Sequence, residues 1–194
     1  MDLLEMNMKN RSCRGYDESY KVSKETLEEL VNLTRFAPAS VNIQPMKYYL
    51  SWTDEQNAVI QPLTGWARQL PGNNLPYPGH RPTAFIVILH DKNIAPNVTR
   101  FSKDVGIAAQ TIALGAVEKG LNVCMIGNFS PEKVAQALSL PENLEVVLIV
   151  AIGKQDEKIV LTEIDDGEAT AYYRDENDVH YVPKRKLKDI IVNE

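Results

Sequence analysis

Val105-Gly106-Ile107-Ala108-Ala109-Gln110-Thr111-Ile112-Ala113-Leu114-Gly115-Ala116-Val117 is apolar nearly all round. A helix of that kind must be covered on most sides. The pattern predicts a helix from Arg100 to Lys119, and its many small residues permit close approach of a neighbouring backbone. A chain of 194 residues has little material to wrap one helix fully. Two readings follow: a second subunit supplies part of the cover, which is the expectation taken forward, or the helix is the buried core of a monomer. The stretch is too short to span a bilayer and carries Gln110 and Thr111.

Working outward, helices and strands alternate. A short helix is expected over residues 2–9 and an amphipathic one over 24–36, capped by Ser23, with Leu27, Leu30, Val31 and Thr34 at helical spacing. Ala37-Pro38 ends it. Strands are expected at 47–52, 84–90, 121–126 and 144–152, and helices at 54–60 and from Ser130-Pro131 to about Leu138. Tyr172 to Tyr181, with Asp175-Glu176-Asn177-Asp178 inside it, reads as a loose hairpin, and the tail from Lys186 as a last short helix. Residues 61–82 hold five prolines. A connection that long is either an active-site loop or a variable surface loop. The alternation gives one layered α/β or α+β domain; strand order does not follow from it.

The chain is acidic, with a net charge of -5, which argues against a general nucleic-acid binder. Acidic residues near the N-terminus stand where a signal peptide would be basic. Cys13 and Cys124 lack zinc-like spacing and read as a reduced cytoplasmic pair. Partners are expected to include neither nucleic acid nor membrane, and sequons such as those at Asn32, Asn97 and Asn128 then carry no meaning. His80, His90 and His180 are isolated, there is no H-E-x-x-H, and no metal site is expected.

Against this acidity, two basic clusters stand out, Lys9-Asn10-Arg11-Ser12-Cys13-Arg14 and Pro183-Lys184-Arg185-Lys186-Leu187-Lys188. Neither a G-x-G-x-x-G nor a P-loop accompanies them. Solvated lysines or a partner protein would account for either cluster alone. Ser40-Val41-Asn42-Ile43-Gln44-Pro45 adds neutral donors and acceptors on a stiff loop, and Met125-Ile126-Gly127 adds a turn after a strand. A ligand with a phosphate, a polyol chain and a flat polar ring edge would use all four segments. Flavin mononucleotide (FMN) is one such ligand.

Taken together, Arg11-Ser12-Cys13-Arg14-Gly15-Tyr16, Ala37-Pro38-Ala39-Ser40-Val41-Asn42-Ile43-Gln44-Pro45, Gly106-Ile107-Ala108-Ala109-Gln110, Gly120-Leu121-x5-Gly127 and Pro183-Lys184-Arg185 resemble the nitroreductase family of FMN-dependent oxidoreductases. The resemblance runs over nearly the whole chain. It implies a single α+β domain over 1–194, with three α/β/α layers and a central, mostly antiparallel sheet flanked by helices. It also implies a homodimer with active sites at the subunit interface, and makes 61–82 an active-site loop. By the same resemblance Arg11, Lys184 and Arg185 hold the phosphate, with Ser12 and Arg14 near the phosphate or ring. Ser40, Asn42 and Gln44 face the ribityl chain or ring edge, from the partner chain in one version. Backbone N–H groups at Ile126 and Gly127 approach the ring near N5. NADH or NADPH would give a hydride to the flavin, and a nitroaromatic, quinone or similar acceptor would then take it in a ping-pong cycle. No side chain is required as acid, base or nucleophile, so no catalytic residue is named. Two other roles stay open on the same scaffold: a flavin-binding sensor or carrier without fast turnover, and a reductive dehalogenase or flavin-fragmenting enzyme. The chain departs from the family at Asn10, where many members have a second arginine, and at Met46, where many have an aromatic residue.

Overall fold

The structure, a computed structural model, describes residues 1–70 and 74–193; within the 61–82 loop, residues 71–73 lie outside the described residues. The elements are α1 (Leu3–Lys9), α2 (Lys24–Thr34), β1 (Met46–Ser51), α3 (Asp54–Ile60), β2 (Ala84–Asp91), α4 (Ser102–Glu118), β3 (Asn122–Ile126), α5 (Pro131–Ala137), β4 (Leu144–Gly153), β5 (Ile159–Ile164), β6 (Tyr173–Arg174) and β7 (His180–Arg185). Side chains set the helix starts. Asp2 and Glu5 form a capping box on α1, Thr53 and Gln56 another on α3, and Ser23 accepts from the Thr26 N–H at the head of α2. Ser130 caps α5 with Pro131 in its first turn.

Four strands form one antiparallel sheet in the order β1-β2-β4-β3. Both faces of its central strands are buried, so they read as continuous apolar runs. On β2, Ala84, Ile86 and Ile88 face a core shared with Leu27 and Leu30 of α2 and Ala109, Ile112 and Ala113 of α4. Phe85, Val87 and Leu89 face a second core with Ile60, Ile126 and Val134. Helices on either side of the sheet give the three α/β/α layers of the expected α+β fold.

The apolar run on α4 divides its faces. At Gly115 a Cβ would stand 2.5 Å from Leu33 Cδ1, so this glycine is what lets α2 pack so closely. Ala109 is fully buried inside the same chain. Gly106 and Ile107 are exposed, and Gln110, Thr111 and Leu114 are half-buried. The close neighbour that the small residues allow is therefore α2 of the same chain, and the uncovered face is the Gly106–Ile107 side.

The sequence reading did not anticipate β5, which pairs in parallel with β7 in a second sheet ordered β5-β7-β6. The expected hairpin is there, with Tyr173 and Arg174 opposite Tyr181 and His180. Pro183 lies inside β7, past the short β6, where that strand edge is open. The expected last helix is a single 3-10 turn, Leu187–Asp189. Among the described residues no helix is long and apolar enough to cross a membrane, and no cluster of His, Cys, Asp and Glu could hold a metal. Cys13 and Cys124 are free, buried thiols.

Candidate functional site

The two basic clusters meet. Arg11, Ser12, Arg14 and Lys184 line one cavity of about 320 Å³, together with Asn7, Asn10, Gln110, Val123, Met125, Tyr172, His180 and Val182. The 9–14 segment is brought there by the open edge of β3. Ser12 lies beside Val123 in a parallel bridge, and the Cys13 N–H donates to the Val123 carbonyl at 2.9 Å. The buried Asn122 side chain holds the segment further, accepting from the Arg11 N–H at 3.3 Å and donating to the Lys9 carbonyl at 2.9 Å. Val123 and Met125 share one face of β3, while Cys124 and Ile126 turn into the second core.

The same two-residue period on β7 places His180, Val182 and Lys184 in the cavity. Arg185 points away and pairs with Asp166 at 3.1 Å. The structure thus brings one of the two C-terminal cations to Arg11. Burial and the nearby Arg11 charge hold Lys184 below the usual lysine range, and burial lowers Arg11 as well. The Arg11 Nη2 donates to the Asn7 carbonyl at 2.8 Å, while its Nε is buried without a hydrogen-bond partner. Two close cations and an unsatisfied donor make a pole that an anion would relieve. Asn10, at the departure from the family pattern, donates instead to Gln110 at 3.2 Å and ties the end of α1 to α4.

Arg14 belongs to a separate buried group. Its backbone N–H donates to Glu157, which also pairs with Arg174. Its Nη1 donates to the Ser12 carbonyl at 3.1 Å and to His180 Nε2 at 3.2 Å, and the guanidinium lies 4.6 Å from the Tyr172 ring centre. Burial, then the charges of Arg14 and Arg174, push His180 down to about 4. Burial lifts the Glu157 carboxyl against the pull of its cationic neighbours. Burial also raises both thiols, Cys124 to about 11, which leaves them unreactive.

The 40–45 loop stands elsewhere. Ser40 donates its N–H and its hydroxyl to the buried Asp104 carboxylate at 3.0 and 2.6 Å. Val41, Asn42 and Gln44 all have positive φ, so this clamp holds a strained backbone. Asn42 and Gln44 are exposed and bonded to each other at 3.0 Å. Gln44 lines a separate cavity of about 150 Å³ beside Asp104 and Ile107. None of these three residues reaches the Arg11–Lys184 cavity within one chain. The side chain of Ile126 is buried and Gly127 is exposed, and neither lines that cavity. Residues 65–68 of the 61–82 loop dock beside them. The Gly65 N–H donates to the Asn128 carbonyl at 2.7 Å, and Arg68 donates to Asn128 Oδ1 at 2.6 Å. A Cβ on Gly65 would stand 1.8 Å from Asn128 Nδ2, so no side chain fits at that approach.

Comparison with known proteins agrees with this geometry. Residues 8–154 match the model of the Nitroreductase family. An oxygen-insensitive NADPH nitroreductase of Helicobacter pylori is 23% identical over 175 residues, covering 74% of this chain and 83% of that protein. A nitroreductase family protein of Clostridium difficile 630 superposes with a TM-score of 0.66 at 25% identity, over 81% of this chain and 86% of that one. An FMN-dependent nitroreductase of Clostridium difficile R20291 superposes with a TM-score of 0.66 at 23% identity, over 99% of both chains. The family match takes in α4, the whole four-stranded sheet and the basic segment laid along β3, and this chain belongs to the nitroreductase family.

Proposed function

We propose that this protein is an FMN-dependent NAD(P)H oxidoreductase, working as a homodimer on nitroaromatics, quinones or similar conjugated acceptors. The observation that carries this reading is the meeting of Arg11, Ser12, Arg14 and Lys184, from opposite ends of the sequence, in one cavity. The Arg11–Lys184 pole, with its buried unpaired Nε, suits a doubly charged phosphate. Val123, Met125 and Tyr172 supply apolar and aromatic wall for a flat ring. The relatives named as NADPH nitroreductase and FMN-dependent nitroreductase support the same cofactors.

Held there, FMN would supply the redox chemistry, hydride transfer from NADH or NADPH to the acceptor. The protein's part is placement. Arg11, Ser12 and Lys184 orient the phosphate. Arg14 faces the ring and favours negative charge developing there. Backbone at Ile126 and Gly127 would border the ring edge beyond the cavity, and residues 65–68, seated on Asn128, would limit water. Donor and acceptor occupy the same slot in turn.

The exposed loop with Asn42 and Gln44 completes the site from the partner subunit. Apolar surface supports that assembly: Leu3, Leu4, Met8, Phe36, Val41, Ile43 and Ile107 are all exposed in the single chain. The test is a visible spectrum of the purified protein, a titration with FMN and with riboflavin, and NAD(P)H oxidation driven by a quinone. FMN should bind at least about tenfold more tightly than riboflavin, since riboflavin lacks the phosphate and its charge-assisted hydrogen bonds. Equal affinities would refute the phosphate pole. Flavin binding without turnover by any donor would favour a carrier.

A further inference from the structure

The β6–β7 hairpin lies beyond the residues that carry the family match, yet Tyr172 and His180 line the cavity. Both touch Arg14. One ring stacks under the guanidinium and the other accepts from it, and the two rings meet tilted at 5.2 Å. Behind them Glu157 fixes the Arg14 backbone and is itself paired with Arg174.

A guanidinium has only donors, so His180 Nε2 must accept and the neutral ring keeps its proton on Nδ1. That Nδ1 is buried with no hydrogen-bond partner. An apolar ring would fill the same space without leaving a donor unsatisfied. What imidazole adds at this position is the acceptor for Arg14. The cavity then has two cationic poles. Lys184 feels Arg11, whereas His180 feels Arg14 and Arg174.

Given the flavin reading above, we propose that His180 and Tyr172 are positioning residues that clamp the Arg14 guanidinium against the ring end of the cavity. A cation held in place stabilises developing charge without reorganising first. The clamp therefore favours the reduced, more negative ligand over the oxidised one.

The test measures affinities for oxidised and reduced FMN in the wild type, His180→Phe, His180→Gln, Tyr172→Leu, Arg14→Ala and the Arg14→Ala/His180→Phe double variant. His180→Phe and Tyr172→Leu should each lower the reduced-to-oxidised affinity ratio about tenfold, a shift of about 30 mV for a two-electron couple. His180→Gln, which keeps an acceptor, should recover part of the loss. His180→Phe should add nothing once Arg14 is gone, because it acts through that side chain. An unchanged ratio in His180→Phe or in the half-buried Tyr172→Leu would overturn the proposal. So would an additive loss in the double variant, or a His180→Gln no better than His180→Phe. Tyr172→Leu carries the test if His180→Phe does not fold. A wild type that binds no FMN would overturn this proposal and the flavin reading together; a wild type that binds FMN with an unresponsive ratio would overturn the clamp alone.

Discussion

Lys184 and Arg185 are neighbours in sequence but stand on opposite faces of β7, one in the cavity beside Arg11 and the other paired with Asp166. Replacing Lys184 with alanine should therefore weaken FMN binding by about 1.5–3 kcal/mol, the scale of a charge-assisted hydrogen bond. Arg11→Ala should do the same. Arg185→Ala should change affinity by less than about 1 kcal/mol, as expected for an exposed pair. Isothermal titration of the three variants checks this, and equal losses at 184 and 185 would contradict the register of β7.

Assembly is a matter of which face of α4 is altered. Ile107→Glu places a charge on the uncovered face and should give a folded monomer by light scattering. Ala109→Glu places it inside the first core, among Leu30, Ile86 and Ile112. It should unfold the chain, since a buried unpaired charge costs several kcal/mol. A dimer that survives Ile107→Glu would remove that face from the interface.

His180 gives a pH signature to stability. The unfolded chain takes up a proton there near 6.5, while burial and the Arg14 and Arg174 charges delay uptake in the folded chain to about 4, against the weaker opposing charge of Asp178. The contribution is intact above pH 6.5 and is lost as pH falls towards 4, by up to about 3 kcal/mol. Glu157, whose carboxyl is raised by burial, gives the opposite slope and is common to both proteins compared. Urea midpoints between pH 7 and 4.5 should fall more steeply in the wild type than in His180→Gln. Parallel curves would mean that His180 titrates normally.

Ser40 offers a fourth check. Its hydroxyl is spent on Asp104 rather than on a cavity. Ser40→Ala should cost about 1–3 kcal/mol of stability by leaving a buried carboxylate oxygen short of a donor. Hydrogen exchange should quicken across residues 40–44. Slower exchange there, or no loss of melting temperature, would argue that the clamp does not hold the loop.

Much of this was legible in the sequence, and the gaps have physical causes. The central strands declared themselves as continuous apolar runs, and Ser23 and Ser130 stood where caps belong. Charge marked the two basic clusters, and the family resemblance implied that Arg11 and Lys184 converge. Their separation from Arg185 did not follow, because Pro183 argues against a strand, and only a strand's two-residue period divides 184 from 185. With that strand accepted, His180, Val182 and Lys184 fall on one face, which is the signal that would have found His180. Parallel pairing of β5 with β7 leaves no local mark, since it depends on segments far apart in the chain. Tyr172 belongs to no motif, and its role exists only because Arg14 lies over its ring.

The cavity is walled by α1, β3, α4 and β7, so whatever anion fills it fastens the first helix to the last strand. Occupancy at a hundred times the dissociation constant would add about 2.7 kcal/mol against unfolding. Supply of that anion would then govern how long each molecule survives proteolysis, before any electron has moved.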